Sequence, residues 1–209
     1  MTIEKEFFRQ VMGQFPTGVT IVTTATSTGL SGLTVNSFTS VSLDPPLVLI
    51  CVDITSHTLS FLRESGSFAV NFLTNEQEAL SRCFATGAAE RYEHFCHAPY
   101  HVAATGSPIL DGSLAFIDAR VVAEYPGGDH VIFLGQVEAM GTEGKAQFLN
   151  DTGTARSTLI EWEDGEANDS REPHPHTSSP LAYYRGQYRH LARDYKRPSL
   201  ASYYDEDFE

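Results

Sequence analysis

A polar run within a strand-like stretch is the part of the sequence richest in groups that could hold a ligand. The run covers residues 32–42, and Thr34, Asn36, Ser37 and Ser40 place hydroxyl and amide groups along it. Such groups suit the polar edge of a flavin ring and its ribityl chain, because both need donors and acceptors at fixed positions. The polar face of an ordinary strand would give the same pattern, so the run alone leaves both interpretations open.

A second candidate lies at residues 53–58, Asp-Ile-Thr-Ser-His-Thr, where a helix is predicted to begin. Free backbone N–H groups and the helix dipole favour an anion at such a point, so Ser56 and Thr58 suit a phosphate. Ser56 is also the predicted N-cap of this helix. Simple capping is the alternative interpretation.

The third candidate is Gly128-Asp129-His130, just before a long predicted strand. A histidine at the entrance of a strand can hydrogen-bond the carboxamide of a nicotinamide or hold its ring over a flavin. A turn-stabilising Asp129 beside an incidental His130 explains the same residues equally well.

The elements that must position these groups are mostly strands. β-branched and apolar runs bounded by turn residues predict strands, and amphipathic or capped segments predict three helices. Thr74 and Gln77 stand at capping-box spacing. The predicted strands are 17–26, 30–42, 47–52, 68–73, 114–124, 130–140 and 181–188. The predicted helices are 5–15, one capped by Ser56 with Gly66 just past its end, and one of roughly ten residues that follows the capping box and ends near Gly87.

This order is not the regular alternation of strand and helix that builds a doubly wound sheet. No G-x-G-x-x-G follows a strand, which argues against a Rossmann cofactor site. The sequence therefore predicts an antiparallel barrel, mainly β, with helices packed outside it.

Composition limits the partners of the chain. Its 209 residues suit one domain, and 14 Lys and Arg against 27 Asp and Glu give a net charge of −13. Nucleic acid and anionic membranes need clustered cations, so neither is an expected partner. No apolar run reaches the roughly 18 residues of a membrane span, and the first residues lack the pattern of a secretory signal. A cytoplasmic protein is expected.

Three cysteines, Cys51, Cys83 and Cys96, form no C-x-x-C pair and are predicted to be reduced. His97 and His101 have H-x-x-x-H spacing, but Pro99 between them prevents presentation from a helix. No metal site is predicted.

Two segments stand apart in composition. Residues 141–179 are predicted to be a polar, solvated insert, and residues 198–209 an acidic tail.

The motifs taken together resemble the flavin reductase family with the FMN-binding split-barrel fold. The resemblance covers about residues 7–140 and returns at 181–188. Its motifs are F-P-T-G-V-T-I-V-T-T, G-L-T-V-N-S-F-T-S-V-S-L-D-P-P-L-V-L-I, S-H-T, F-A-V-N-F-L, G-D-H and L-G-Q-V-E.

The resemblance implies a single domain over 1–209 that reduces FMN or FAD with NADH or NADPH, by hydride transfer to flavin N5. It also implies a homodimer that supplies reduced flavin to a partner monooxygenase. His130 would contact the nicotinamide as the catalytic residue. The implied cofactor-binding residues are Thr34, Val35, Asn36, Ser37, Ser40, Ser42, Cys51, Val52, Ser56, Thr58, Phe84, Asp129 and His130.

Two other functions remain open on sequence grounds. One is a flavoenzyme that retains its flavin and acts on an organic or corrinoid substrate; the other is a non-catalytic flavin- or haem-binding module. One residue departs from the family pattern: His57 stands where many similar proteins offer Lys or Arg. This predicts weaker or pH-dependent phosphate binding.

Overall fold

The computed structural model describes residues 3–142, 145–149, 155–158 and 179–191. Within these ranges the helices are α1 (Lys5–Met12), α2 (Thr58–Ser65), α3 (Glu78–Phe84) and α4 (Ala89–Tyr92). The strands are β1 (Thr17–Gly18), β2 (Thr20–Thr26), β3 (Gly29–Val35), β4 (Thr39–Leu43), β5 (Pro46–Asp53), β6 (Ser67–Phe72), β7 (Tyr100–Val102), β8 (Pro108–Leu110), β9 (Ala115–Gly127), β10 (His130–Thr142), β11 (Lys145–Leu149), β12 (Ala155–Thr158), β13 (Leu181–Tyr184) and β14 (Gln187–His190).

Nine of these strands form one antiparallel sheet that curls into an open barrel. Its order is β12-β11-β10-β9-β6-β2-β3, and β5 joins β10 and carries β4 on its other edge. The β4–β5 ladder ends at Thr39↔Leu49, so the last part of β5 has no described strand on that edge. β3 likewise pairs only with β2 among the described strands. We call the gap between β3 and the end of β5 the seam.

Alternation along the strands explains the barrel core. On β5 and β10, every second side chain is buried, as a strand with one face inward requires. α2 covers this core with Leu59 and Leu62. A second apolar cluster, which includes Ile21 and Phe84, packs α3 onto the outside of β2 and β3. The predicted fold class, an antiparallel split barrel with peripheral helices, is confirmed.

Several element boundaries differ from the sequence predictions. α1 ends at Met12 rather than at residue 15. The predicted strand 30–42 is interrupted at residues 36–38, which connect β3 to β4. The predicted strand 181–188 is a hairpin, because Arg185 and Gly186 adopt positive φ values of 52° and 74° and reverse the chain between β13 and β14.

The predicted N-cap at Ser56 is wrong. α2 begins at Thr58, and His57 occupies the cap position without a capping hydrogen bond from its side chain. The carboxylate of Asp53 accepts hydrogen bonds from the backbone N–H and the hydroxyl of Thr55, both at 2.7 Å. This turn delays the helix and leaves Ser56 before it. By contrast, the capping box formed by Thr74 and Gln77 is present.

The cysteine prediction is also wrong. Cys83 and Cys96 form a disulfide, and Cys51 alone is free. The two bonded residues are 13 positions apart without any recognisable motif, and the fold brings their Cα atoms to 6.1 Å, a distance that a disulfide spans readily.

Part of the segment 141–179 continues the sheet. β10 extends to Thr142, and β11 and β12 add two further strands beyond it. The remainder of that segment, apart from Ser179, lies outside the described residues, as does the whole of 198–209. No helix among the described residues is long and apolar enough to span a membrane.

Candidate functional site

The end of β5 brings together the three polar features of the sequence. At Cys51 the backbone carbonyl accepts a hydrogen bond from the Ser37 hydroxyl (2.9 Å), and the backbone N–H donates to the same hydroxyl (3.1 Å). Two residues later, Asp53 is paired with His130 at the start of β10. The chain then turns into α2 at Thr58. Segments 32–42, 53–58 and 128–130 therefore meet around one strand end.

The seam offers an unpaired backbone edge beside these side chains. An edge strand presents N–H and C=O groups that need partners, and β3 has this edge next to the end of β5. One of its carbonyls, at Gly32, already accepts hydrogen bonds from Thr58 and Arg91. From Gly32 to Val35, β3 advances three residues, or about 10 Å, and Asn36 follows directly after it. The seam is thus an elongated groove bounded by a strand edge.

Thr58 is the centre of a buried polar cluster at one end of the seam. Its side chain is fully buried, and its hydroxyl accepts a hydrogen bond from Ser31 (3.0 Å) and donates to the Gly32 carbonyl (3.3 Å). Arg91 also donates to this hydroxyl, at 3.3 Å. The hydroxyl is therefore fully used inside the protein. Its contribution to an anion site is to fix the first turn of α2. In that turn the Leu59 N–H donates to the Ser56 carbonyl, and the other N–H groups of a helix start lack partners within the helix.

Arg91 is a functional candidate that the sequence analysis missed. Arg91 is 8% exposed. Its guanidinium donates to the carbonyls of Gly32 (2.9 Å) and Thr86 (2.8 Å), and also to the Thr58 hydroxyl. Burial lowers the pKa of this guanidinium from its usual value, yet arginine stays charged. No carboxylate of the described residues forms a salt bridge with it. A buried cation without a counter-ion in the described part of the chain favours an anionic ligand nearby.

A wide cleft opens at the other end of the seam. Its volume is about 1160 Å³, and it lies between α1, the connection 36–39 and the β13–β14 turn. Asn36 and Ser37 line it, and the amide of Asn36 makes no hydrogen bond to a described residue. The Thr17 hydroxyl, also in the lining, is buried without a partner among the described residues. Free polar groups around an apolar cleft are typical of a ligand site.

His130 and Asp129 form a hydrogen-bonded pair at the entrance of β10. The Nδ1 atom of His130 lies 2.8 Å from the Asp129 carboxylate, and this hydrogen bond holds the pKa of that carboxyl below its usual value. The backbone carbonyl of Asp129 accepts a hydrogen bond from Ile54, which ties the turn to the end of β5. The His130 side chain remains 44% exposed. It is therefore oriented by Asp129 and accessible to a ligand.

The other predicted site residues differ in their accessibility. Ser40 is exposed, Val35 and Ser42 are half-buried, and the Thr34 hydroxyl donates to the Ser81 carbonyl at 2.7 Å. The side chains of Val52 and Phe84 are completely buried. Burial also raises the pKa of the half-buried Cys51 thiol.

Phe84 supports the seam from behind. A Cβ atom at Gly32 would lie only 2.8 Å from the Phe84 ring, so the glycine is what lets β3 approach this ring. The roles of these residues in cofactor binding stay predictions.

The donors and acceptors of this region fit a flavin nucleotide. The seam combines an anion-favouring end, which has a buried cation and a helix N-terminus, with a cleft that has unpartnered amide and hydroxyl groups. A long cofactor with a phosphate at one end and a polar-edged ring at the other matches this arrangement.

Comparison with known proteins defines the class. The model of the flavin reductase like domain matches residues 12–192. The reductase subunit of a flavin-dependent monooxygenase from Mycobacterium tuberculosis is 38% identical over 66% of this chain and 72% of its own. An NADH-dependent flavin reductase from Rhodococcus is 39% identical over 71% of this chain and 84% of its own.

A solved structure extends the likeness to three dimensions. The NADH:FAD oxidoreductase of Streptomyces globisporus, in complex with NAD and FAD fragments, has a TM-score of 0.69 and 31% identity, covering 91% of this chain and 94% of that chain. The chain belongs to the flavin reductase family. The predicted family and the predicted activity class, an NAD(P)H:flavin oxidoreductase, are confirmed.

Proposed function

We propose that this protein reduces FMN or FAD with NADH and releases the reduced flavin to a partner monooxygenase. The observation that carries the proposal is the seam, which joins a cation-backed helix N-terminus to a cleft with free polar groups. Family membership supports the same activity. When bound, the flavin supplies the hydride acceptor, and the chain supplies position, electrostatics and shielding from water.

The chain holds the proposed flavin at both ends of the seam. We assign the phosphate to the first turn of α2, near Ser56, with the charge of Arg91 behind it. We assign the ring to the cleft side, where Asn36 offers its amide and Ser37 keeps the connection 36–38 attached to β5. Ser37 therefore acts as a positioning residue, because its hydroxyl is already engaged with Cys51.

Reduction of the flavin itself tests this proposal. The purified protein, mixed anaerobically with FMN and NADH, is expected to bleach the flavin absorption band far faster than the same mixture without protein. Replacing NADH with NADPH ranks the two donors. Equal bleaching rates with and without protein would contradict the proposed activity.

His130 is expected to act on the nicotinamide rather than on the flavin. The His130 ring is oriented by Asp129 and stays accessible, so His130→Ala should remove one hydrogen bond, charge-assisted or neutral, to the nicotinamide of NADH. The expected result is an increase of about tenfold in the KM for NADH, which corresponds to ~1.4 kcal/mol. The affinity for FMN should stay near that of the wild type. Stopped-flow reduction at limiting NADH measures the first quantity and a flavin titration the second; an unchanged KM contradicts the role.

A homodimer is the second part of the proposal. No residue of α1 is buried in the single chain, although the helix carries several apolar side chains. More than half of the surface is exposed in each of Phe7, Phe8, Val11 and Met12. Such a face is costly to leave in water and favours a second copy of this chain as its cover. Phe8 and Met12 also line the cleft, so the same contact would shield the proposed ring site.

The contribution of α1 to self-association can be measured directly. Phe7→Glu places a charge in the apolar face, and the expected result is a protein that sediments as a monomer where the wild type sediments as a dimer. Lys5→Glu, on the same helix, is the matched control, because it adds negative charge outside the apolar residues. A dimer that persists in Phe7→Glu, or that is lost equally in Lys5→Glu, contradicts α1 as the interface.

A further inference from the structure

The segment between Cys83 and Cys96 is fixed at both of its ends. Cys83 lies in the last turn of α3 and is bonded to Cys96 in a short 3₁₀ turn. Residues Phe95, Cys96 and His97 have φ values of 50°, 53° and 51°. Non-glycine residues adopt this left-handed region at an energetic cost, and three in succession are rare. The cross-link therefore holds a turn that these residues would not favour by themselves.

The cross-linked segment carries one wall of the proposed phosphate site. It contains α4, whose Arg91 donates to the Gly32 carbonyl and to the Thr58 hydroxyl. The ring of Tyr92, also on α4, lies 5.0 Å from the ring of His57 at the start of α2. α4 reaches the seam from outside the barrel, and the disulfide closes the loop that bears it.

We propose that Cys83 and Cys96 form a reversible, redox-sensitive cross-link that sets the affinity of the seam for the flavin phosphate. This inference rests on the proposed function. In the oxidised protein, the disulfide keeps the left-handed turn and holds Arg91 against β3 and α2. In the reduced protein, the turn relaxes, α4 becomes mobile, and the phosphate loses the charge of Arg91 behind it.

The redox step is a two-electron exchange with a peroxide. One thiol loses its proton, its sulfur takes an oxygen from hydrogen peroxide as a sulfenic acid, and one water leaves. The second thiol displaces that oxygen, the S–S bond forms, and a second water leaves. A dithiol reverses the step, since it gives two electrons and two protons to the disulfide and becomes a disulfide itself. Both cysteines are half-buried rather than enclosed, so small reagents have access to them.

The oxidation state can be counted without a variant. The chain has three cysteines, and two of them are in the disulfide, so alkylation in denaturant should label one thiol in the oxidised protein and three in the reduced protein. The single labelled residue should be Cys51. Peptide mass spectrometry after treatment with hydrogen peroxide or dithiothreitol, each removed before alkylation, makes this count.

Flavin titration then measures the consequence. Reduction of the disulfide is expected to weaken the binding of FMN by at least about fivefold, as for other coupled sites. Reoxidation of the thiols with peroxide should restore the affinity. Riboflavin, which lacks the phosphate, should bind equally well in both states. Cys83→Ser and Cys96→Ser should each bind FMN as the reduced wild type does and should not respond to dithiothreitol. In Arg91→Met, reduction of the disulfide should cause no further loss of FMN affinity, because both changes remove the charge of Arg91 from behind the phosphate.

Hydrogen exchange gives a readout that does not need flavin. Amides of residues 85–95 are expected to exchange faster after reduction, while those of β9 and β10 stay unchanged. Equal exchange in the two states, three labelled thiols after peroxide, or equal FMN affinity in the two states would overturn the proposal. If the protein binds FMN with the same affinity whether the disulfide is oxidised or reduced, and still catalyses FMN reduction, the cross-link proposal alone fails. If no flavin is bound or reduced in either state, the proposed function fails and this proposal with it.

Discussion

Replacement of Arg91 by methionine is expected to weaken FMN binding about thirtyfold, or by ~2 kcal/mol. Methionine preserves much of the side-chain volume but removes the buried positive charge and the bonds to Gly32 and Thr58. With the charge gone, no other buried cation among the described residues compensates a phosphate at the first turn of α2, in a protein whose net charge is −13. A fluorescence titration of FMN against the protein measures the loss.

Two controls separate a phosphate effect from a structural one. Arg91→Lys keeps the charge and loses the planar fork of donors, so its FMN affinity should lie between those of the wild type and Arg91→Met. Riboflavin affinity should change little in either variant, because riboflavin has no phosphate. Equal losses for riboflavin and FMN would mean that Arg91 only supports the fold, and wild-type FMN affinity in Arg91→Met would remove it from the site.

The largest loss of stability is expected from Gly135→Ala. A Cβ atom at this position of β10 would lie 2.6 Å from Cζ of Phe68 and 3.0 Å from Cβ of Ala119. Both neighbours are completely buried in the barrel core, so neither can turn outward into solvent to relieve the contact. Overpacking of this kind costs about 1–3 kcal/mol, so a decrease of ~2 kcal/mol in the free energy of unfolding is expected.

Gly18→Ala is the matched control for this substitution. Gly18 lies in β1, and apart from its two chain neighbours no described residue would place a heavy atom within 4 Å of its added Cβ. Because alanine restricts the unfolded chain, the expected change is a small gain of about 0.5 kcal/mol or none. Denaturant unfolding of the flavin-free proteins compares the two variants. A Gly135→Ala protein as stable as the wild type would mean that the barrel wall yields at Phe68 more easily than its packing indicates.

Local sequence signals were enough to predict the barrel strands and the family. The runs that form β2 and β5 are rich in β-branched residues, and their boundaries are turn residues close in sequence. The seam was not predictable in the same way. It depends on β5 pairing with β10, some eighty positions later along the chain, and on β4 leaving β5 after Leu49. Such pairings are decided by the whole sheet.

The part of the site that sequence reasoning missed is its α4 wall. Arg91 reaches Gly32 and Thr58 across 59 and 33 positions, and its own surroundings carry no motif. The disulfide was missed because an odd number of cysteines without paired spacing is typical of reduced proteins. The role of Ser37 in cofactor binding stays a prediction, and its hydrogen bonds to Cys51 are contacts that only the fold creates.

The most direct test of the central claim is the number of turnovers per protein molecule. NADH oxidation is followed anaerobically, with FMN or FAD in large molar excess over the protein, so that oxygen cannot recycle reduced flavin. We expect oxidation to continue until the added flavin is consumed, because the proposed function makes flavin an exchangeable substrate of the seam. If oxidation stops after a single equivalent per protein-bound flavin, the flavin is retained, and the proposed release to a partner monooxygenase is contradicted.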